Sequence, residues 1–287
     1  MRPFDTIVMA DWSARATPSP AAPSADAIWI ATWRGGVEAV TYHRTRAAGE
    51  AALSALLEAE RAAGRRVLAG FDFAFGYPAG FARALTGVAR AAAVRAWLAG
   101  RIADDARNRN NRFEVAAEIN AGFPGVGPFW GRPARPELVD LPALGRARHG
   151  HGMAERRAVE RAVPRAQTVW KLYTTGAVGS QVLVGLPMLH RLSCRFGPAL
   201  SVWPFDPGDG DIVLAEVYPS LIDPAVRGEA GIRDAAQVRL MARAVARLQA
   251  AGRLADLFAT PDDPQIAEEG WILGVGQETA LCAALMA

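Results

Sequence analysis

The chain has 287 residues, 51% of them hydrophobic, with a mean hydropathy of +0.07. That is enough to bury a large core in one elaborated domain or two small ones. Its 32 cationic and 29 anionic residues leave a net charge of only +3, so a nucleic-acid partner has to be argued from local patches and not from global charge. Two distant cysteines, Cys194 and Cys282, exclude a disulfide framework and a cysteine zinc site. No apolar run has the length of a signal peptide or a membrane span, and the expected setting is cytoplasmic.

In chain order, Thr6 to Ala10 reads as a buried strand ending at Asp11, followed by a Pro/Ala/Ser loop from Ala16 to Ala25. Ala27 to Arg34 and Val37 to Arg44 flank Gly35-Gly36, a signal for a tight two-residue hairpin. Ala47 to Gly64 is helical, with Leu53, Leu56 and Leu57 on one face. It delivers the chain to Val67–Phe75, an apolar run that contains Asp72. A helix between a meander and a new apolar strand favours a crossover returning that strand parallel to the first. Asp11 and Asp72 are then expected side by side at adjacent strand ends, in the crevice where open α/β sheets bind ligands.

Residues 78–200 read as a large insertion or lid, with helical pieces at Ala89 to Ala99, Arg112 to Ile119 and Met153 to Val163 between Gly/Pro-rich loops. Arg107, Arg109 and Arg112, interleaved with three asparagines, suit a phosphate or planar polar ligand, although a solvated helix start is the commoner origin of such a run. The stretch from Lys171 to Gln181 combines the chain's only lysine with hydroxyls and small residues ahead of an apolar helix, whose first amides can hold an anion. Its spacing is not that of a Walker phosphate loop, and close backbone packing is an equal account of its glycines.

The core is expected to resume at residue 201, making 1–77 and 201–287 the core of a single domain. Ser201 to Phe205 and Asp211 to Tyr218 read as strands, the second carrying Glu216. Asp234 with Gln237 resembles a capping box at the start of a helix, with Val238, Met241, Val245 and Leu248 as its core stripe. Glu268-Glu269 opens the last segment, Pro264 to Ala287.

A buried ionised carboxylate costs several kcal/mol unless it is paired, hydrogen-bonded or metal-bound. Asp11, Asp72 and Glu216, each at or near the end of an apolar strand, therefore suggest one shared acidic site. Asp11-Trp12-Ser13, Gly70 to Pro78 and Glu216 to Ser220 resemble the motifs of a family of uncharacterised proteins described as predicted ribonuclease-H-like nucleases. The resemblance implies an α/β fold with a mixed five-stranded sheet in the order 3-2-1-4-5, flanked by helices, and acidic residues that bind divalent metal. Such family members often carry a final Asp-rich motif where this chain has Glu268-Glu269-Gly270-Trp271, which leaves Glu269 as the fourth ligand.

Hard oxygen ligands without His or Cys favour Mg²⁺ or Mn²⁺. The expected activity is phosphoester hydrolysis, possibly by a nuclease, with two ions held by Asp11, Asp72, Glu216 and Glu269. Lys171 or Arg109 would neutralise phosphate charge, and Ser13, Arg107, Arg112, Ser180 and Gln181 would contact a phosphate-containing small molecule or nucleic acid. Two alternatives stand beside it. One is an ATP-dependent phosphotransferase of actin or sugar-kinase architecture, although Asp11-Trp12-Ser13-Ala14 lacks the glycine that lets backbone approach a nucleotide phosphate. The other is a non-catalytic scaffold that binds a small metabolite or a partner.

Overall fold

The computed structural model describes residues 1–286. Its first strand, β1 (Thr6–Asp11), is buried along its whole length. It pairs antiparallel with β2 (Ile28–Arg34), which turns through Gly35-Gly36 into β3 (Val37–His43). Both glycines have positive φ, +56° and +87°, as a two-residue hairpin matching the strand twist requires. Helix α1 (Arg46–Ala62) then carries the chain to β4 (Val67–Phe71), which pairs parallel with β1 as the crossover argument expects.

The sheet has six strands, not five, in the order β3-β2-β1-β4-β6-β5. The expected order is thus corrected at its far edge. The fifth strand in sequence, β5 (Leu200–Val202), lies outside β6 (Ile212–Glu216), and both run parallel to β4. The strand expected over Ser201 to Phe205 is present but shorter and one residue earlier, because its Trp203–Phe205 part is turn.

Between β4 and β5 lie α2 (Phe81–Thr86), α3 (Ala91–Ala99), α4 (Arg112–Ala121), α5 (Ala158–Ala162) and α6 (Gly179–Phe196). The expected helix from Met153 is cut to α5 alone, because Arg157 is extended and turns its side chain inward. Helices α1, α3 and α6 cover one face of the sheet: Leu53, Leu57, Val94 and Leu189 share a core with Val8, Ala69 and Leu214. The other face is covered by α8 (Arg233–Ala250), after the short α7 (Asp223–Val226), and by α11 (Glu278–Met286), after α9 (Leu254–Leu257) and α10 (Ile266–Glu269). Met241, Val245 and Leu248 pack there with Ile7, Met9 and Val213, which confirms the expected stripe. The expected capping box is absent: Ile232 is the N-cap, with no side-chain cap bond, and Asp234 is free for another use. No helix among the described residues is long and apolar enough to cross a membrane.

Candidate functional site

The ladder between β1 and β4 pairs Ala10 with Phe71, so Asp11 and Asp72, one residue further on, stand level at the strand ends. The amide of Asp72 donates to Ala10 O at 3.3 Å, and that of Trp12 donates to Asp72 Oδ1 at 2.7 Å. The two carboxyl groups are close enough to influence each other's ionisation. Burial, then the charge of Asp72, pushes Asp11 well above the usual carboxylate range. Burial raises Asp72 to about 7, against the opposing pull of the Trp12 amide. Neither side chain has an ion-pair partner among the described residues, although 16 distinct arginines pair with other acids.

 Arg112, which forms no ion pair among the described residues, lines the same pocket as the aspartate pair.

That pocket, of about 490 Å³, opens beside the ends of β1 and β4. Its acidic wall is Asp11 and Asp72 together with Asp26 and Asp234. Asp234 Oδ2 accepts from the Asp26 amide at 2.8 Å, and burial, with Asp26 nearby, raises its pKa. Another wall comes from the insertion. Arg112, only 8% exposed, donates from Nε to Ser180 Oγ at 2.8 Å and from Nη1 to Asn110 Oδ1 at 2.7 Å. Burial lowers its pKa to about 10, which still leaves it charged at neutral pH. Ser180 in turn donates to Leu172 O at 2.6 Å, so its hydroxyl positions Arg112, and Gln181 Nε2 donates to Trp12 O at 2.7 Å.

Ser180 and Gln181 lie in the first turn of α6, whose N-cap makes no side-chain bond. Their amides have no acceptor among the described residues and supply the positive end of the helix dipole. Gly179 is required there: a Cβ would lie 2.2 Å from Val169 O, so the helix start is pressed against the preceding loop. Close packing thus accounts for this glycine, against a loop and not the sheet. Below the pocket, Arg46 binds Asp104 through Nε at 2.5 Å and donates to Ser13 O at 2.9 Å and Arg15 O at 2.8 Å, fixing the turn after β1. Ser13 Oγ completes that turn by donating to Asp26 O at 2.7 Å.

Of the residues singled out from sequence, the fold brings Asp11, Asp72, Ser13, Arg112, Ser180 and Gln181 to this pocket. The others are elsewhere. Glu216 is 3% exposed and clamped by Arg157, Nη2 to Oε1 at 2.7 Å and Nη1 to Oε2 at 2.8 Å; its Oε2 also accepts from the Phe75 amide at 3.1 Å. It is neutralised by a guanidinium and lies outside the larger pocket, bordering with Asp72 a separate cavity of about 50 Å³. Glu269, 1% exposed, accepts from the amides of Ala79 and Ala158 at 2.8 and 2.5 Å, tying the insertion to the core. Lys171 Nζ donates to Thr175 O at 2.6 Å and closes its own loop. Arg109 pairs with Asp105 at 2.6 Å, and Arg107 is exposed outside the pocket. The expected four-carboxylate, two-ion centre is therefore not assembled, and among the described residues no group of three or more His, Cys, Asp or Glu is placed to hold a metal ion.

Sequence reasoning missed Asp26, Asp234 and Arg15, and noticed Tyr173 and Thr174 only as part of the Lys171–Gln181 stretch; all five line the pocket. Asp234 carries a signal that was misassigned, an acid at a helix start. Asp26 and Thr174 owe their places to positive φ, 53° and 76°, which no local pattern announces. Comparison of the chain with protein-family models, with curated proteins and with solved structures gives no significant match.

Proposed function

We propose that the pocket hydrolyses a phosphate ester with the help of one divalent cation held by Asp11 and Asp72. One observation carries this reading: a carboxyl pair opposed by no arginine shares a pocket with a buried arginine and the open amides of a helix start. Mg²⁺ is commonly held by one or two carboxylates, with water and substrate phosphate completing its shell, so two aspartates fit such an ion although four ligands are not assembled. Bound there, the ion would neutralise phosphoryl charge and acidify a water. Its charge would also favour the ionised forms of Asp11 and Asp72, which burial disfavours.

The chain's own residues supply the rest. Arg112 and the Ser180 and Gln181 amides orient the phosphate and stabilise charge gathering on its oxygens. Ser180 holds Arg112 in place. Asp72 is itself held by the Trp12 amide, which therefore cannot serve a nucleotide phosphate; this weighs against the kinase-type alternative. The test is Mg²⁺- or Mn²⁺-dependent hydrolysis of p-nitrophenyl phosphate, expected to vanish in folded Asp11→Asn and Asp72→Asn proteins. Activity retained in both variants would end the proposal.

The level placement of Asp11 and Asp72 at adjacent strand ends favours a second reading, in which the pair shares one proton and works as a metal-free general acid and base. Activity that survives chelator and follows a bell-shaped pH profile would select it over the first.

A further inference from the structure

The mouth of the pocket carries features that phosphate binding does not use. Tyr173 is 43% exposed, lines the pocket and has no hydrogen bond from its hydroxyl among the described residues. Its ring is held edge-on by Phe113, with centroids 6.1 Å apart and planes at 78°. The backbone behind it is fixed too: Leu172 N donates to Trp130 O at 2.8 Å, and a Cβ on Gly131 would come within 2.9 Å of Tyr173 N. An aromatic ring presented on a rigid loop is a stacking surface, not a stray apolar residue.

Strain points to the same place. Among the described residues three non-glycine residues have positive φ, and two of them, Asp26 and Thr174, line this pocket. For a β-branched residue such as Thr174 that conformation is an outlier, kept only where surrounding structure enforces it. Arg15 adds a second planar group: it lines the pocket, and its guanidinium enters no ion pair or hydrogen bond among the described residues.

Charge and size limit the ligand. A volume of about 490 Å³ suits one small molecule. A polynucleotide needs a succession of free cations for its phosphates. Apart from Arg112, Arg15 and the exposed Arg107, arginines near this flank are engaged with acids: Arg46 with Asp104, Arg109 with Asp105, Arg191 with Glu50 and Arg195 with Glu58. Asp26 and Asp234 would moreover repel a second phosphate, whereas carboxylates accept readily from a sugar diol.

We infer that the substrate class is a nucleoside monophosphate, its phosphate at Arg112, its ribose hydroxyls at Asp26 and Asp234, and its base against Tyr173 and Arg15. This rests on the phosphoester-hydrolase reading above. The reaction balances with water alone: the water oxygen bonds to phosphorus, the ester P–O bond breaks, and the leaving sugar oxygen takes a proton, giving nucleoside and inorganic phosphate.

Titration calorimetry in Mg²⁺ with AMP, ribose 5-phosphate, inorganic phosphate and a single-stranded RNA dodecamer tests it. AMP is expected to bind at least about tenfold more tightly than ribose 5-phosphate, the scale of one base stacked on one ring. Tyr173→Ala should abolish that advantage and leave ribose 5-phosphate unchanged, while Tyr173→Phe keeps it. Equal affinity for the two small ligands, indifference to Tyr173→Ala, or tighter binding of the RNA would each overturn the inference. If ribose 5-phosphate binds in an Arg112-dependent manner with no preference for the base, the hydrolase reading stands and only the substrate class falls. If no phosphate probe binds, both fall.

Discussion

Asp72→Asn is the substitution that most directly interrogates the site, because it replaces a carboxyl whose ionisation the fold resists with an amide of the same shape. The rise from the ordinary aspartate value of 3.8 to about 7 means that folded protein binds this proton far more tightly than unfolded chain does. Stability from this group is therefore fully present below about pH 4 and is lost as pH rises through about 7. At about 1.4 kcal/mol for each tenfold change, the full loss is somewhat over about 4 kcal/mol. Asp72 keeps partial contact with the pocket, so solvent reduces the figure, and about 2 to 4 kcal/mol is the expected range. The carboxylates held low by arginines, Glu60 at about 2 among them, lose their contribution only at lower pH and do not mask the effect.

Urea denaturation of wild type and Asp72→Asn, measured in chelator between about pH 5 and about pH 8, reads the quantity directly. Wild type should lose stability across this window while the variant loses less, the two curves diverging as pH rises. Added Mg²⁺ should restore wild type at the upper end by mass action and leave the variant unmoved. Parallel curves with no response to the ion would refute both the electrostatic account of the pair and its assignment to a cation.

Three further outcomes are expected. Arg157→Met leaves Glu216 buried without its partner and should cost about 3 to 5 kcal/mol in denaturant melts, with the Arg157→Met, Glu216→Leu double variant recovering part of the loss. Gly179→Ala forces a Cβ against Val169 O, costs about 1 to 3 kcal/mol and weakens phosphate binding by shifting the start of α6, read by melts and calorimetry together. Thr174→Gly relieves a positive φ that disfavours side chains by about 1 to 2 kcal/mol; thermal melts should show unchanged or higher stability, while a less sharply defined Tyr173 lowers AMP affinity.

The meander, the crossover and the meeting of Asp11 with Asp72 were legible because each follows from local signals: Gly35-Gly36 for the hairpin, a helical stripe for α1, and uninterrupted apolar runs for β1 and β4. The insertion was legible only in part. Arg112, Ser180 and Gln181 stood out as a composition, but Arg107 and Arg109 belong to the same run and lie outside the pocket, in the loop closed by the Asp104–Asn110 bridge, whereas Arg112 begins α4. Asp26 and Asp234 come together across more than two hundred residues, and such a contact exists only after the sheet and α8 have packed. Arg157 was unreadable for a similar reason: an arginine in a helix-like, charged segment gives no sign that it will be drawn to 2% exposure among Glu160, Glu216 and Glu269.

Glu216 shows what decides whether a strand-end acid joins a site. In the β4·β6 ladder it is level with Phe71, whereas Asp11 and Asp72 stand one residue further along. Successive residues of a strand point to opposite faces, so a single step in register separates Glu216 from the aspartates and aligns it with Ala10 and Phe71. The core divides in the same way: Val8, Ala10, Ala69, Phe71 and Leu214 pack on one face, and Met9, Leu68 and Ala215 on the other. Strands buried on both faces read as continuous apolar runs, so their sequence carries no alternation from which the face could be inferred. Having fallen on the other side, Glu216 needs its own cation, and Arg157 meets that need with two hydrogen bonds while anchoring the insertion whose next helix, α6, walls the pocket. The acid lost to the site thereby fixes the wall that faces it.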